Sequence, residues 1–192
     1  MRPERGLGAR WGEVPKRWRA WGRFALASWC FALAFAIVGF VGIVGAYACG
    51  VRANVTRSMD VGLYRETSEA VAVGSIVSGC LPEVVERRGL ARGYLERGWC
   101  PGGAVPVLKR VIALAPSSVK VTPVGIFVDG VSKGGVPLRH DHLGRAMMAV
   151  PSVRVAGDAA FLLGDSHDSW DSRYYGPVSV TGWHVMRVLV AW

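Results

Sequence analysis

A lysine stands where an apolar side chain is expected. In residues 105–115 the pattern of Val105, Val107, Leu108, Val111, Ile112 and Leu114 marks a strand, and Lys109 and Arg110 interrupt it. Side chains alternate between the two faces of a strand. Lys109 therefore shares a face with Val107 and Val111, and Arg110 shares the other with Leu108 and Ile112. One of the two cations must look toward something apolar. Arginine stays protonated in proteins, whereas desolvation lowers the pKa of a buried lysine toward neutrality. A neutral amine is a competent general base. A serine hydroxyl is a fitting partner, being a weak nucleophile until an adjacent base takes its proton. Ser58, in the polar stretch Asn54-Val-Thr-Arg-Ser-Met59, is a candidate for that hydroxyl. On spacing alone the plainer readings stand beside this one. A Lys-Arg pair is the ordinary solvated face of an edge strand, and a serine before methionine is an ordinary loop residue. Serine–lysine pairs are recognised by geometry, not by separation in sequence.

The elements that must hold these groups are short. Val71, Val73, Ile76 and Val77 predict a strand ending at Gly79. Residues 81–94 read as a helix, with Leu81, Val84, Val85 and Leu90 at helical spacing and Pro82 in its first turn; Gly89 weakens it. Residues 119–122 and 126–128 alternate as strands, and Asp129-Gly130 is a hairpin signal. Further strands are expected at 136–138, 153–155 and 159–163; residues 178–180 and 185–190 close the chain as strands or as a short final helix. Residues 53–64 are too polar and turn-rich for a continuous core element, and 164–176 form a long loop rich in Asp and Ser. The sum is a mainly β domain of short strands with one helix.

Ahead of it lies an uncharged stretch, residues 24–51, dense in Phe, Leu, Ile and Val. It exceeds the roughly 20 apolar residues that cross a bilayer. A single helix satisfies its own backbone there, and Gly39, Gly42 and Gly45 are tolerated in such spans. Seven basic and two acidic side chains precede the stretch and account for +5 of the formal +9. The positive-inside rule places this end in the cytoplasm, with Trp18, Trp21 and Tyr47 at the interfaces. The basic excess thus serves topology and anionic headgroups, which removes the case for nucleic-acid binding. The expected organisation is a cytoplasmic tail (1–23), a transmembrane helix (24–50) and a periplasmic domain (51–192) in a bacterial inner membrane. In that oxidising compartment Cys80 and Cys100 are read as a disulfide, which contributes about 3 kcal/mol on the loop-entropy argument. Cys49 is the alternative partner, and two free thiols the plain one.

His140, Asp141, His142, Asp165, His167, Asp168 and Asp171 raise two other chemistries, a metal site and a histidine-based triad. The first three are read as a surface loop near Gly144, and His167 is too close to Asp168 in sequence to be oriented by it. No metal and no cofactor is expected, and there is no phosphate-binding glycine loop or HExxH pattern.

Three stretches then carry a resemblance. Ser58-Met59, Lys109-Arg-Val-Ile-Ala-Leu114 and Gly164-Asp-Ser-His-Asp-Ser-Trp-Asp-Ser-Arg-Tyr-Tyr-Gly176 resemble the three boxes of the type I signal peptidases, in the right order behind an anchor. With residues 54–59 and 89–95 the chain is most similar to the TraF subgroup, the conjugative transfer signal peptidases, which process the pilin precursor of a conjugation or type IV secretion apparatus. The resemblance spans residues 24–192 and implies a signal-peptidase-like fold of short strands and coiled sheets. It implies that Ser58 attacks the scissile carbonyl, that Lys109 is the base, and that Thr56 joins the backbone N–H of Ser58 in the oxyanion hole. Ser169 would orient the lysine amine, Asp171 and Arg173 would brace the site, and Met59 and Val107 would lie by the substrate. The implied partner is a precursor with small residues before the cut, bound as an extended strand. A ring-forming transpeptidase using the same acyl-enzyme, and an inactive channel component of the same fold, are the alternatives. Asp60 stands where the family has proline, Ala115-Pro-Ser-Ser118 where it has Pro-Gly-Asp, and Ser166-His167 where an Asn-Arg pair is common.

Overall fold

The computed structural model describes the backbone of residues 16–192 and the side chains of residues 28–192. The whole of the expected basic tail (1–23), with Trp18 and Trp21, lies outside the described side chains. The chain divides into two units after Ala48. The first contains helix α1 (Lys16–Ala48), within which the expected membrane span lies. Within it Ser28–Ala48 is long and apolar enough to cross a membrane, and Trp29, Phe31, Phe35 and Phe40 are exposed on it.

The second unit is mainly β, as expected, and its strands form two antiparallel sheets. β1 (Val51–Asn54), β2 (Gly62–Thr67), β3 (Ile76–Gly79), β4 (Val107–Leu114), β9 (Ala159–Leu163), β10 (Val178–Ser179) and β11 (His184–Ala191) make the larger, in the order β1-β2-β11-β3-β4-β9-β10. β5 (Ser117–Thr122), β6 (Gly125–Val128), β7 (Val131–Gly134) and β8 (Ser152–Val155) make the smaller, in the order β7-β6-β5-β8. Helix α2 (Glu83–Arg92) lies in the excursion between β3 and β4, and the single-turn α3 (Ser172–Tyr175) follows β9.

β4 joins the two cores by a change of face. Against β9 its register shifts between Val111 and Ala113, so Ile112 is an extra residue. A bulge of this kind breaks the alternation of faces. Before it Val107 and Val111 pack with Val77, Leu162 and Val185; after it Ala113 packs with Val119, Ile126 and Phe161. β9 is buried on both faces, with Ala160 and Leu162 in the first core and Phe161 and Leu163 in the second. Lys109 lies on the β4 face of Val107 and Val111, ahead of the bulge.

The excursion carrying α2 is closed by the Cys80–Cys100 disulfide, and Cys49 and Cys30 are free. α2 ends in a left-handed Gly93, whose N–H and that of Tyr94 bond the carbonyls of Leu90 and Gly89. Gly89, a weak helix residue by propensity, is there for space. A Cβ on it would lie 2.6 Å from Leu95 and 3.1 Å from Trp170 Nε1.

Several elements depart from expectation. β1 and β2 pair across the stretch read as too polar for an element; of their charged residues, Arg52 and Glu66 form an ion pair on a half-buried surface. No strand forms at residues 136–138, where the Leu138 N–H bonds the Tyr174 hydroxyl at 2.9 Å. The hairpin turn at Asp129-Gly130 leads instead directly into β7, exposed along its length. The last segment is a strand and not a helix.

Candidate active site

Ser58 sits on the loop between β1 and β2, and the last residue of β1 shapes that loop. Asn54 Nδ2 donates to the carbonyls of Thr56, Met59 and Asp60 at 3.0, 3.2 and 2.9 Å. Asn54 Oδ1 accepts from the Thr56 N–H at 3.2 Å and from Thr56 Oγ1 at 2.7 Å. Thr56 Oγ1 is in turn 3.3 Å from Ser58 Oγ. On the far side of the serine the Tyr64 hydroxyl donates to the Asp60 carbonyl at 2.6 Å. Met59 is buried with Tyr64, Leu108 and Met186. It packs under the serine loop and is not among the residues that line the cleft holding Ser58.

Lys109 is 3 % exposed, and its Nζ donates to Ser169 Oγ at 2.9 Å. Burial brings the amine down to about 8 from its ordinary 10.5; Asp171 works against that shift and Arg173 with it. Arg110, on the other face of β4, forms a two-pronged pair with Asp165 at 3.0 and 2.8 Å. Alternation thus sorts the two cations as the sequence requires, with arginine at the partly open surface and lysine inside.

The loop 164–171 brings Ser169 to the lysine, and Arg173 shapes that loop. Asp171 and Arg173 are 0 % and 1 % exposed. Their side chains join in parallel, Nε to Oδ1 at 2.8 Å and NH2 to Oδ2 at 2.7 Å, the bidentate geometry that suits guanidinium to carboxylate. The remaining guanidinium protons reach the carbonyls of His167 at 2.9 Å, Ser166 at 3.1 Å, and Ser169 and Val136 at 3.3 Å. Asp171 also caps α3 through the Arg173 N–H and accepts from the Gly164 N–H at 3.0 Å. Gly164 holds the loop ends together: a Cβ there would lie 2.2 Å from Ser169 Oγ and 2.7 Å from the Ser58 carbonyl. The serine loop and the Ser169 loop therefore meet at one glycine.

Ser58, Lys109, Val107 and Ser169 line one cleft of about 260 Å³, with Tyr94 and Trp170 on its wall. Tyr94 arrives from the end of α2 and packs 5.1 Å from Trp170, which stacks on Tyr174. His142 also reaches this wall. The Asp141 carboxylate beside it is taken by Tyr94 OH and Arg145 Nε, both at 2.6 Å, which pins the loop to α2. His167 is exposed and does not line the cleft. The arrangement is suited to acyl transfer: a hydroxyl and an amine of lowered pKa share a cleft, and buried groups fix the amine. Sequence reasoning named Asn54 and Gly164 only as letters within the boxes. The Asn-x-Thr order, which favours a side-chain turn, is the signal that points to the first.

Comparison with known proteins agrees with this chemistry. Residues 22–192 match the family described as signal peptidase, peptidase S26. The "Probable conjugal transfer protein TraF" of Sinorhizobium fredii (strain NBRC 101917 / NGR234) is 39% identical over 145 residues, 73% of this chain and 76% of that protein. A "Plasmid transfer protein TraF" of Escherichia coli is 34% identical over 154 residues, 77% and 86% of the two chains. A "Conjugal transfer protein TraF" of Agrobacterium tumefaciens (strain 15955) is 35% identical over 137 residues, 69% and 77% of the two. Matched along nearly its whole length, the chain belongs to the S26 signal peptidases, a family of serine peptidases, and is closely related to the TraF-type conjugal transfer proteins.

Proposed function

We propose that this protein is a membrane-anchored serine endopeptidase that removes the leader segment of an exported precursor, with Ser58 as nucleophile and Lys109 as general base. The observation that carries the reading is a lysine amine held inside the protein by Ser169 and brought down to about 8, in the same cleft as Ser58. Ser58 Oγ bonds to the scissile carbonyl carbon while its proton passes to Lys109 Nζ. The tetrahedral intermediate collapses as that proton moves to the departing amine, leaving an ester on Ser58. Water then attacks the ester as the same amine takes its proton; on collapse that proton passes from Lys109 Nζ to Ser58 Oγ, which frees the new carboxyl end and restores both groups. Thr56 and the backbone N–H of Ser58 are the donors assigned to the oxyanion. Ser169 fixes the amine, and Asp171 with Arg173 fixes Ser169. The similarity to conjugal transfer proteins supports a pilin precursor as substrate and a conjugation apparatus as the setting. The basic flank of α1 supports a cytoplasmic amino end, a membrane helix and a periplasmic catalytic domain.

The test uses the full chain in detergent with the candidate pilin precursor, comparing it with Ser58→Ala and Lys109→Ala. Each substitution should lower cleavage by about 10⁴-fold while the protein stays folded. Full activity in Lys109→Ala would remove the dyad. The product mass separates hydrolysis from ring closure, since a ring is lighter by one water.

A further inference from the structure

Asn54 makes five hydrogen bonds inside the serine loop, more than shaping the loop alone would need. Three backbone carbonyls face one end of its amide, so that end must be the NH2 group; the other end must be the oxygen, since the Thr56 N–H points at it. The Thr56 hydroxyl has one proton, and at 2.7 Å from Asn54 Oδ1 that proton is committed. The hydrogen in the 3.3 Å contact between Thr56 Oγ1 and Ser58 Oγ therefore comes from the serine. In the resting enzyme Thr56 accepts from the nucleophile and donates to Asn54. It cannot also donate to an oxyanion.

We propose that Asn54 is a positioning residue for the Ser58 reaction: its Oδ1 holds the Thr56 proton on a neutral acceptor and yields it to the oxyanion as negative charge develops. This rests on the Ser58–Lys109 reading and deepens it. As Ser58 turns its proton to Lys109, Thr56 loses its donor and its hydroxyl is released to turn. Exchanging the amide oxygen for an oxyanion replaces a neutral hydrogen bond with a charge-assisted one, about twice as strong. That gain exists only once the carbonyl has been attacked, so it favours the transition state over bound substrate. The three bonds from Nδ2 meanwhile keep the loop in place.

A double-mutant cycle tests this, using the full chain and a precursor peptide with an Ala-x-Ala site. Thr56→Val should lower kcat by about 100-fold with little change in KM, and Thr56→Ser should retain most of the activity. Asn54→Ala should also lower kcat. The two losses should not multiply: the double variant should be at least about fivefold more active than their product, because residues acting through one another are non-additive. A loss in Asn54→Ala that is the same with Thr56 or Val at position 56 would make Asn54 a loop brace only and overturn the proposal. So would full activity in Asn54→Ala. Asn54→Asp is the second variant, its carboxylate holding the Thr56 proton more tightly; if neither variant can be recovered folded, Asn54 belongs to the fold and the proposal is likewise overturned. Ser58→Ala and Lys109→Ala run alongside. If either cleaves normally the dyad itself is wrong; if both are inactive and the cycle is additive, only the role of Asn54 falls.

Discussion

At the scale of single residues the proposed Ser58–Lys109 reaction turns on the protonation of one amine. With Lys109 near 8, about a tenth of the enzyme holds a neutral base at pH 7. Activity should therefore rise as pH passes from 6 through 8 and level off above 9, read as kcat/KM on the precursor; a flat profile with chemistry limiting would contradict the assignment. The same shift has a stability consequence. The unfolded chain keeps this proton up to about 10.5 and the folded chain only up to about 8. Between those values the unfolded state binds more protons, so stability rises with pH there. Below pH 8 the buried charge is a standing cost. Lys109→Met should accordingly be inactive but more stable than the parent at pH 7, by about 2 kcal/mol, with the gap closing toward pH 10.5 in urea titrations. Gly164 gives the complementary case. Gly164→Ala sets a methyl group against Ser169 Oγ and the Ser58 carbonyl. Displacing either group by a fraction of an ångström should lower kcat by about 100-fold with the circular dichroism spectrum unchanged.

At the scale of elements, the loop 164–171 and α3 act as one brace, and Arg173 is its centre. Arg173→Met would strand the Asp171 carboxylate in the interior, where breaking a buried pair costs about 3–5 kcal/mol; chemical denaturation measures it. Arg173→Lys should recover only part, since an ammonium cannot match the parallel bonds to Asp171 and still reach four carbonyls. These elements also show what was readable in advance. β4 was plain from its apolar alternation, and the position of Lys109 within it pointed inward because arginine could not be the buried cation. α2 was plain from its spacing and from Pro82. β1 and β2 were hidden because their burial is partial and Arg52, Arg65 and Glu66 break the apolar pattern. β7 has no buried residue and so leaves no pattern. α3 is one turn long, set by the Asp171 cap and not by periodicity. Of the site, the family boxes supplied the residues, but the convergence of two loops at Gly164 and the five bonds of Asn54 are three-dimensional facts. Met59 was expected beside the substrate because it follows the nucleophile; its burial with Tyr64, Leu108 and Met186 is a packing fact that no pattern in the loop announces.

At the scale of the molecule, the catalytic unit is two sheets tied by β4 and β9, with one stapled excursion set on the cleft. Cys80 and Cys100 close that excursion, and Tyr94 and Leu95, which follow the helix end at Arg92 and its Gly93 cap, lie on the cleft wall. The paired replacement Cys80→Ser/Cys100→Ser should lower stability by about 3 kcal/mol, measured as the shift in denaturation midpoint against parent protein with the bond intact. The staple also has a bearing on when the enzyme is finished. Glutathione in a bacterial cytosol keeps such thiols reduced, so on the proposed periplasmic placement a newly made copy would gain this staple only after translocation. Completion of the protease would then be tied to the compartment where exported chains emerge, and the proteins left behind in the cytosol would be spared a fully formed one.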